Sequence, residues 1–241
     1  MAEKVDRKQL KKPDEFQLIA GKAMEWLRTH QKKVIAVGGT IVVAVLLAWG
    51  LTLLRSSREA KAGAALAEAL ELESRPLAGE APAQPGVETF PSKEERDKAV
   101  LAALEKVRGE HRGTTAALTA QAEIGFRKLK AGDAAGAQKD LEEFLKAAAK
   151  EHPLRIFAQE SLGYALEKQN KLDEARAAFE KLREMGAPER ADLHAARLAL
   201  LQGKPDAKAQ LEKVAKDYPK DPVAQEANLR LELAALPPVT R

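Results

Sequence analysis

The chain contains no cysteine. That excludes disulfides, cysteine-ligated zinc, iron–sulfur clusters, thiol catalysis and the acylated cysteine of a lipoprotein anchor. Aromatic residues are also scarce, at 4% of 241 positions, while alanine is abundant. Sheets recruit aromatic and β-branched side chains, and alanine favours closely packed helices, so almost no strand is predicted. The four histidines, His30, His111, His152 and His194, share no helix face at metal-ligand spacing. Surface or capping roles are expected for them, with no metal and no cofactor. The sequence offers no phosphate loop, no metal-binding helix and no paired histidine and nucleophile, so the protein is not expected to be an enzyme. Charged doublets such as Glu142-Glu143 and Asp173-Glu174 are expected to be solvated helix surface.

Positive charge is lacking over most of the length. The formal net charge of +4 lies entirely in residues 1–33, and residues 55–241 carry equal numbers of basic and acidic groups. A neutral domain of this kind lacks the electrostatic footprint of a nucleic-acid binder, and no nucleic-acid partner is expected.

Charge of either sign is missing from Val34 to Leu54, which reads VIAVGGTIVVAVLLAWGLTLL. At about 1.5 Å per residue this run spans roughly 32 Å, against a bilayer hydrocarbon core of about 30 Å. No second charge-free run approaches that length. The upstream flank carries Lys22, Arg28, Lys32 and Lys33, backed by Lys4, Arg7, Lys8, Lys11 and Lys12; the downstream flank carries Arg55, Arg58 and Lys61. The more basic flank of a spanning helix is retained in the cytoplasm, so the N-terminus is predicted inside and the large domain outside. A cleaved signal peptide fits less well. The one small-x-small site, Ala48-Trp49-Gly50, lies within the apolar run, and the segment before the run is long. Within the span, Ala36, Thr40, Ala44 and Ala48 recur every fourth residue and form a candidate helix-packing stripe, although such residues are common in any membrane helix. Before it, Phe16, Ile19, Ala20, Ala23, Trp26 and Leu27 gather on one side of a predicted interfacial amphipathic helix begun by Pro13-Asp14.

These signals divide the chain into a basic tail with its amphipathic helix (1–33), a transmembrane helix (34–54), a juxtamembrane helix (55–73), a Pro/Gly-rich loop (74–92), a helical repeat domain (93–236) and a tail (237–241). The repeats appear on self-alignment. Ile124-Gly125, Ala137 and Leu141 recur as Leu162-Gly163, Ala175 and Phe179, and Gly132-Asp133 corresponds to Asn170-Lys171. A third, compressed copy closes with Ala207, Leu211, Val214 and Pro219, and a last helix from Pro222 caps the series.

Those positions resemble the tetratricopeptide (TPR) family, whose pattern places Leu-Gly in the first helix, Ala and a bulky residue in the second, and proline at the end. The match is best over Ile156–Pro188. The spacing departs from the family's in that extra residues fall at Ala147–His152. Together with the charge-free run, the predicted fold is all-α, a single N-terminal transmembrane helix followed by a TPR-like helical-hairpin solenoid, and the resemblance implies a protein-binding face made by the first helix of each hairpin. On that face the pattern places Phe126 and Tyr164, with Lys130 and Lys168 one turn on, as candidate protein-binding residues; both rings could equally be helix-to-helix core. The asparagine of carboxylate-clamping TPR proteins is replaced by Phe126 and Tyr164, so that mechanism does not transfer.

The arrangement of basic tail, single span, alanine-rich helix and TPR-like domain also resembles the ancillary subunit of the bacterial Sec translocon. That resemblance implies a bacterial inner-membrane adaptor with a periplasmic domain. Its implied partners are translocon and chaperone proteins together with the lipid bilayer, and self-association is left open. A TPR scaffold for another envelope complex, in motility, secretion or division, is the alternative; an enzyme or small-ligand module is the third reading.

Overall fold

The computed structural model describes residues 15–79 and 88–236. The expected start at Pro13-Asp14, the basic residues Lys4 to Lys12 and the tail 237–241 lie outside them. Two compact units divide at Ser57/Arg58.

The first unit holds α1 (Glu15–Thr29) and the beginning of α2 (Gln31–Glu71). Helix α2 is long and apolar enough to cross a membrane, and none of its most apolar window is buried. Ile35, Ile41, Leu46 and Trp49 are exposed, as are Ile19, Trp26 and Leu27 of α1. The hydroxyls of this stretch return to the helix backbone: Thr40 Oγ1 donates to the Ala36 carbonyl at 2.9 Å and Thr52 Oγ1 to the Trp49 carbonyl at 2.7 Å. Both hydroxyls of the charge-free run therefore have a partner, which lowers the cost of placing them in an apolar environment.

The second unit is a series of antiparallel helix pairs. Helix α2 runs on without a break past Leu54 and buries Ala62 and Ala69. Ala69 packs with Val100, Leu104 and Val107 of α3 (Lys93–Glu110) and with Ala120 and Ile124 of α4 (Thr115–Lys130). The Glu59 carboxylate accepts from the Thr115 N–H at 3.1 Å, and Glu73 pairs with Arg127 at 2.8 Å. The stretch separated in the sequence as a juxtamembrane helix is thus part of the repeat core. Between Glu71 and α3, the ends of the Pro/Gly-rich segment are drawn together by a Leu77–Phe90 bridge and an Arg75–Glu88 ion pair. That isolated bridge is the sole β-pairing among the described residues.

Helices α4 and α5 (Ala134–Ala147), α6 (Arg155–Lys168) and α7 (Leu172–Glu184), and α8 (Pro188–Leu201) and α9 (Ala207–Asp217) form three successive hairpins, closed by α10 (Pro222–Ala235). The same turn recurs in each hairpin. Asp133, Lys171 and Lys204 donate their backbone N–H to the carbonyls of Lys128, Leu166 and Ala199, five residues back. The residue before each donor, Gly132, Asn170 or Gly203, has positive φ. This is the Schellman closure, which glycine or asparagine enters at least cost. Helix starts are capped where the sequence provides for it: Ser92, Thr114, Asp133 and Asp221 each accept an N–H from the first turn of the helix that follows.

The repeat spacing has a steric cause. A Cβ added at Gly125 would lie 2.8 Å from Leu141, and one added at Gly163 would lie 2.4 Å from the Phe179 ring. Each glycine lets the second helix of its hairpin lay a bulky side chain against the first, and Ala137 and Ala175 are fully buried beside them. The additional residues of the first hairpin form the non-helical connection after Ala147, where Arg155 Nη1 donates to the carbonyls of Leu145 and Ala148 at 2.7 and 2.8 Å. A guanidinium thereby satisfies carbonyls that the end of α5 leaves open.

Candidate functional site

The first helices of successive hairpins, α6 and α8, are joined by a ladder with two rungs seven residues apart. In one rung Arg190 lies over the Phe157 ring, 5.2 Å from its centroid, and pairs with Glu160. In the other, Arg197 lies over Tyr164 at 4.9 Å and holds Glu167 through both guanidinium nitrogens, Nη1 at 2.7 Å. Seven residues is close to two helical turns, so Phe157 and Tyr164, Glu160 and Glu167, and Arg190 and Arg197 each repeat on one helix face. An arginine that stacks on a ring and forks onto a carboxylate uses both of its strong modes at once.

Between the rungs lies His194, and here the expectation of a surface or capping histidine is corrected. Its ring is 1% exposed, stacked on Phe179 at 4.1 Å and set edge-on to Tyr164 at 5.2 Å. Nε2 meets Glu160 Oε1 at 2.7 Å, and Nδ1 accepts from Arg197 Nε at 3.5 Å, so Nε2 carries the proton and donates to the carboxylate. Burial pushes the Glu160 carboxyl upward, but the hydrogen bond from His194 and the charge of Arg190 outweigh it and hold the group below the usual carboxylate value. Burial raises the Tyr164 phenol, with Arg197 opposing. His152 sits in the connection before α6, where its Nδ1 accepts from the Leu154 N–H at 3.2 Å and its ring stands edge-on to Phe144.

Phe126 and Tyr164 are both half-buried and pack against the core of the first two hairpins. Lys130 and Lys168 are exposed and enter no ion pair among the described residues. The face of Tyr164 is taken by Arg197. In the neighbouring hairpin the buried Asp140 accepts from Arg108 at 3.0 Å, Lys128 at 2.7 Å and Gln121 at 2.9 Å. The doublets Glu142-Glu143 and Asp173-Glu174 are exposed, as expected. Beside the connection after Ala147, a cleft of about 780 Å³ has Leu145, Ile156, Leu162 and Met185 among its lining, with Lys146 and Lys181. Ala36, Thr40, Ala44 and Ala48 are all exposed on α2.

The sequence reading missed the ladder because arginines and glutamates on a helix read as solvated surface. The signal was nonetheless present: two aromatics, two glutamates and two arginines, each pair seven residues apart on predicted helices.

The second unit is a TPR-like stack of helical hairpins, by the glycine-to-bulky contacts and the repeated closure of its turns. No family model matches the sequence, and no curated protein matches it. Among solved structures it is similar to the TPR-like repeats of a kinesin light chain-type protein of Podosopora anserina, "nearly identical" repeats by their description. One structure of that protein, a point variant, aligns with a TM-score of 0.48 and 21% identity over 59% of this chain and 78% of that one. The other gives a TM-score of 0.47 and 22% identity over 59% and 79%.

Proposed function

We propose that the protein is a membrane-tethered protein–protein interaction adaptor, ancillary to the protein-export translocon and periplasmic chaperones. It sits in a bacterial inner membrane with its N-terminus cytoplasmic and its repeats periplasmic. The observation that carries this reading is helix α2. No residue of its charge-free stretch is buried and its hydroxyls are satisfied internally, while the same unbroken helix buries Ala62 and Ala69 in the repeat core. An apolar helix left uncovered by the other described residues is suited to lipid, and a hairpin stack fused to it would present an interaction surface at the membrane, where effective concentration is high. The absence of recognisable chemistry in the sequence agrees with a binding role.

Photo-crosslinkers placed at positions 44 and 164 of the full chain in its native membrane test the reading by mass spectrometry of the adducts. Translocon subunits at position 44, and chaperones or exported chains at 164, are expected. Recovery of motility, secretion or division subunits would move the assignment to a scaffold of that machine. Recovery of neither group would overturn the export role.

A further inference from the structure

We propose that the junction of α1 and α2 is a binding site for one anionic phospholipid of the cytoplasmic leaflet. This rests on the membrane reading of α2 and deepens it.

Two cavities meet at His30, where α1 passes into α2. One, of about 330 Å³, is lined by Arg28, His30, Lys32 and Lys33, with Thr29 and Gln31. The other, of about 410 Å³, is lined by Trp26, Val34, Val37, Gly38 and Ile41, with His30 and Lys33 shared between the two. Among the described residues no carboxylate lines either cavity. Gly38 opens onto the apolar notch: a Cβ built there would meet nothing within 4 Å, so a larger side chain has room to project into it. On its other side the Trp26 ring is fixed by His30, stacked at 4.8 Å, and His30 Nδ1 donates to the Trp26 carbonyl at 3.0 Å.

A pocket with three permanent cations opening onto an apolar furrow is complementary to a molecule with an anionic head and a hydrocarbon tail. The dimensions agree. From Lys33 to Ile41 the helix rises about 12 Å at ~1.5 Å per residue, most of one leaflet's share of a hydrocarbon core about 30 Å thick. The cations thus stand at headgroup level while the notch descends beside an acyl chain. Each lysine or arginine near an anionic membrane surface contributes about 1 kcal/mol, and a zwitterionic headgroup brings a cation that this cluster repels.

The chain's two tryptophans make the site measurable. Trp26 borders the notch and Trp49 lies in the charge-free run, so each can be read alone in full-length W49F or W26F protein reconstituted in vesicles. Lipids brominated on the acyl chain quench a tryptophan they touch. At equal mole fraction, brominated phosphatidylglycerol is expected to quench Trp26 several-fold more than brominated phosphatidylcholine. The combined Arg28→Gln, Lys32→Gln, Lys33→Gln variant should erase that difference, and Gly38→Leu should reduce it by filling the notch. Equal quenching of Trp26 by the two lipids overturns the proposal. Trp49 should be quenched by both lipids alike; if neither quenches it, the membrane reading itself fails. An excess of soluble glycerol phosphate should leave the preference unchanged, and its loss would assign the basic pocket to free phosphate esters instead of lipid.

Discussion

At Gly163 a single added carbon has nowhere to go. The Cβ of Gly163→Ala would fall 2.4 Å from Phe179 Cε1, and that ring cannot yield because His194 is stacked on it at 4.1 Å. Overpacking of this kind costs about 1–3 kcal/mol, whereas alanine gains up to about 1 kcal/mol over glycine in a helix interior. A net loss of one to two kcal/mol is expected, read as a lower thermal midpoint by circular dichroism of the full chain in detergent. Gly125→Ala would meet Leu141 Cγ and Cδ2 at 2.8 Å, a less severe approach than the 2.4 Å at Gly163. A smaller loss is expected there, and a larger loss at 125 than at 163 would contradict the packing account. Both glycines were legible in the sequence, since a Leu/Ile-Gly pair recurring ahead of a bulky residue is a local pattern. His194 was not. A histidine becomes a core residue through what other helices bring to it, here Phe179, Tyr164 and Glu160, and nothing in its own neighbourhood announces them.

Among the elements, the seam between α6 and α8 carries two Arg–Glu pairs beside its apolar cluster, and these make its stability depend on pH. Glu160 is held below its ordinary carboxyl value of 4.5 despite its burial, so the folded state binds fewer protons there than the unfolded chain. The contribution is complete above the unfolded value and is lost as pH falls below about 4.5 and through the lower folded value. Midpoints measured between pH 3 and 7 should therefore drop at the acid end. Glu160→Gln should flatten that limb while lowering the neutral-pH midpoint, because Arg190 loses its charge partner. A parallel acid limb in the variant would assign the effect to other carboxylates. The contact of α2 with α3 and α4 is built instead on an apolar cluster, flanked by the Glu59–Thr115 hydrogen bond. Leu104, fully buried beside Ala69 and Ile124, should cost about 2–5 kcal/mol as Leu104→Ala, with added protease cleavage in 74–92 as the clip between α2 and α3 loosens. The sequence marked where these helices run, but it set residues 55–73 apart from the repeats. Alanines at 62 and 69 show no periodicity of large apolar side chains, and their burial depends on the near approach that small residues permit.

For the whole molecule, on the membrane reading proposed above, the direction of the span would decide what the repeats can meet, and the lack of cysteine makes that direction directly testable. Residues 1–33 carry nine Lys/Arg, whereas Arg55, Arg58 and Lys61 follow the apolar run. Basic residues near a span are retained in the cytoplasm, and the excess on the N-terminal side favours that end staying inside. A single cysteine introduced as Lys150→Cys, at an exposed position in the connection between α5 and α6, should react with a membrane-impermeant maleimide in intact spheroplasts. Lys12→Cys should react only after the membrane is opened. The reverse pattern would put the repeats in the cytoplasm and remove the exported chains from their reach. The balance is also adjustable: replacing Lys22, Arg28, Lys32 and Lys33 with glutamine while adding lysines after Leu54 should shift part of the population to the opposite orientation. If charge sets the direction, the labelling of position 150 will fall in that variant in proportion to the rise at position 12.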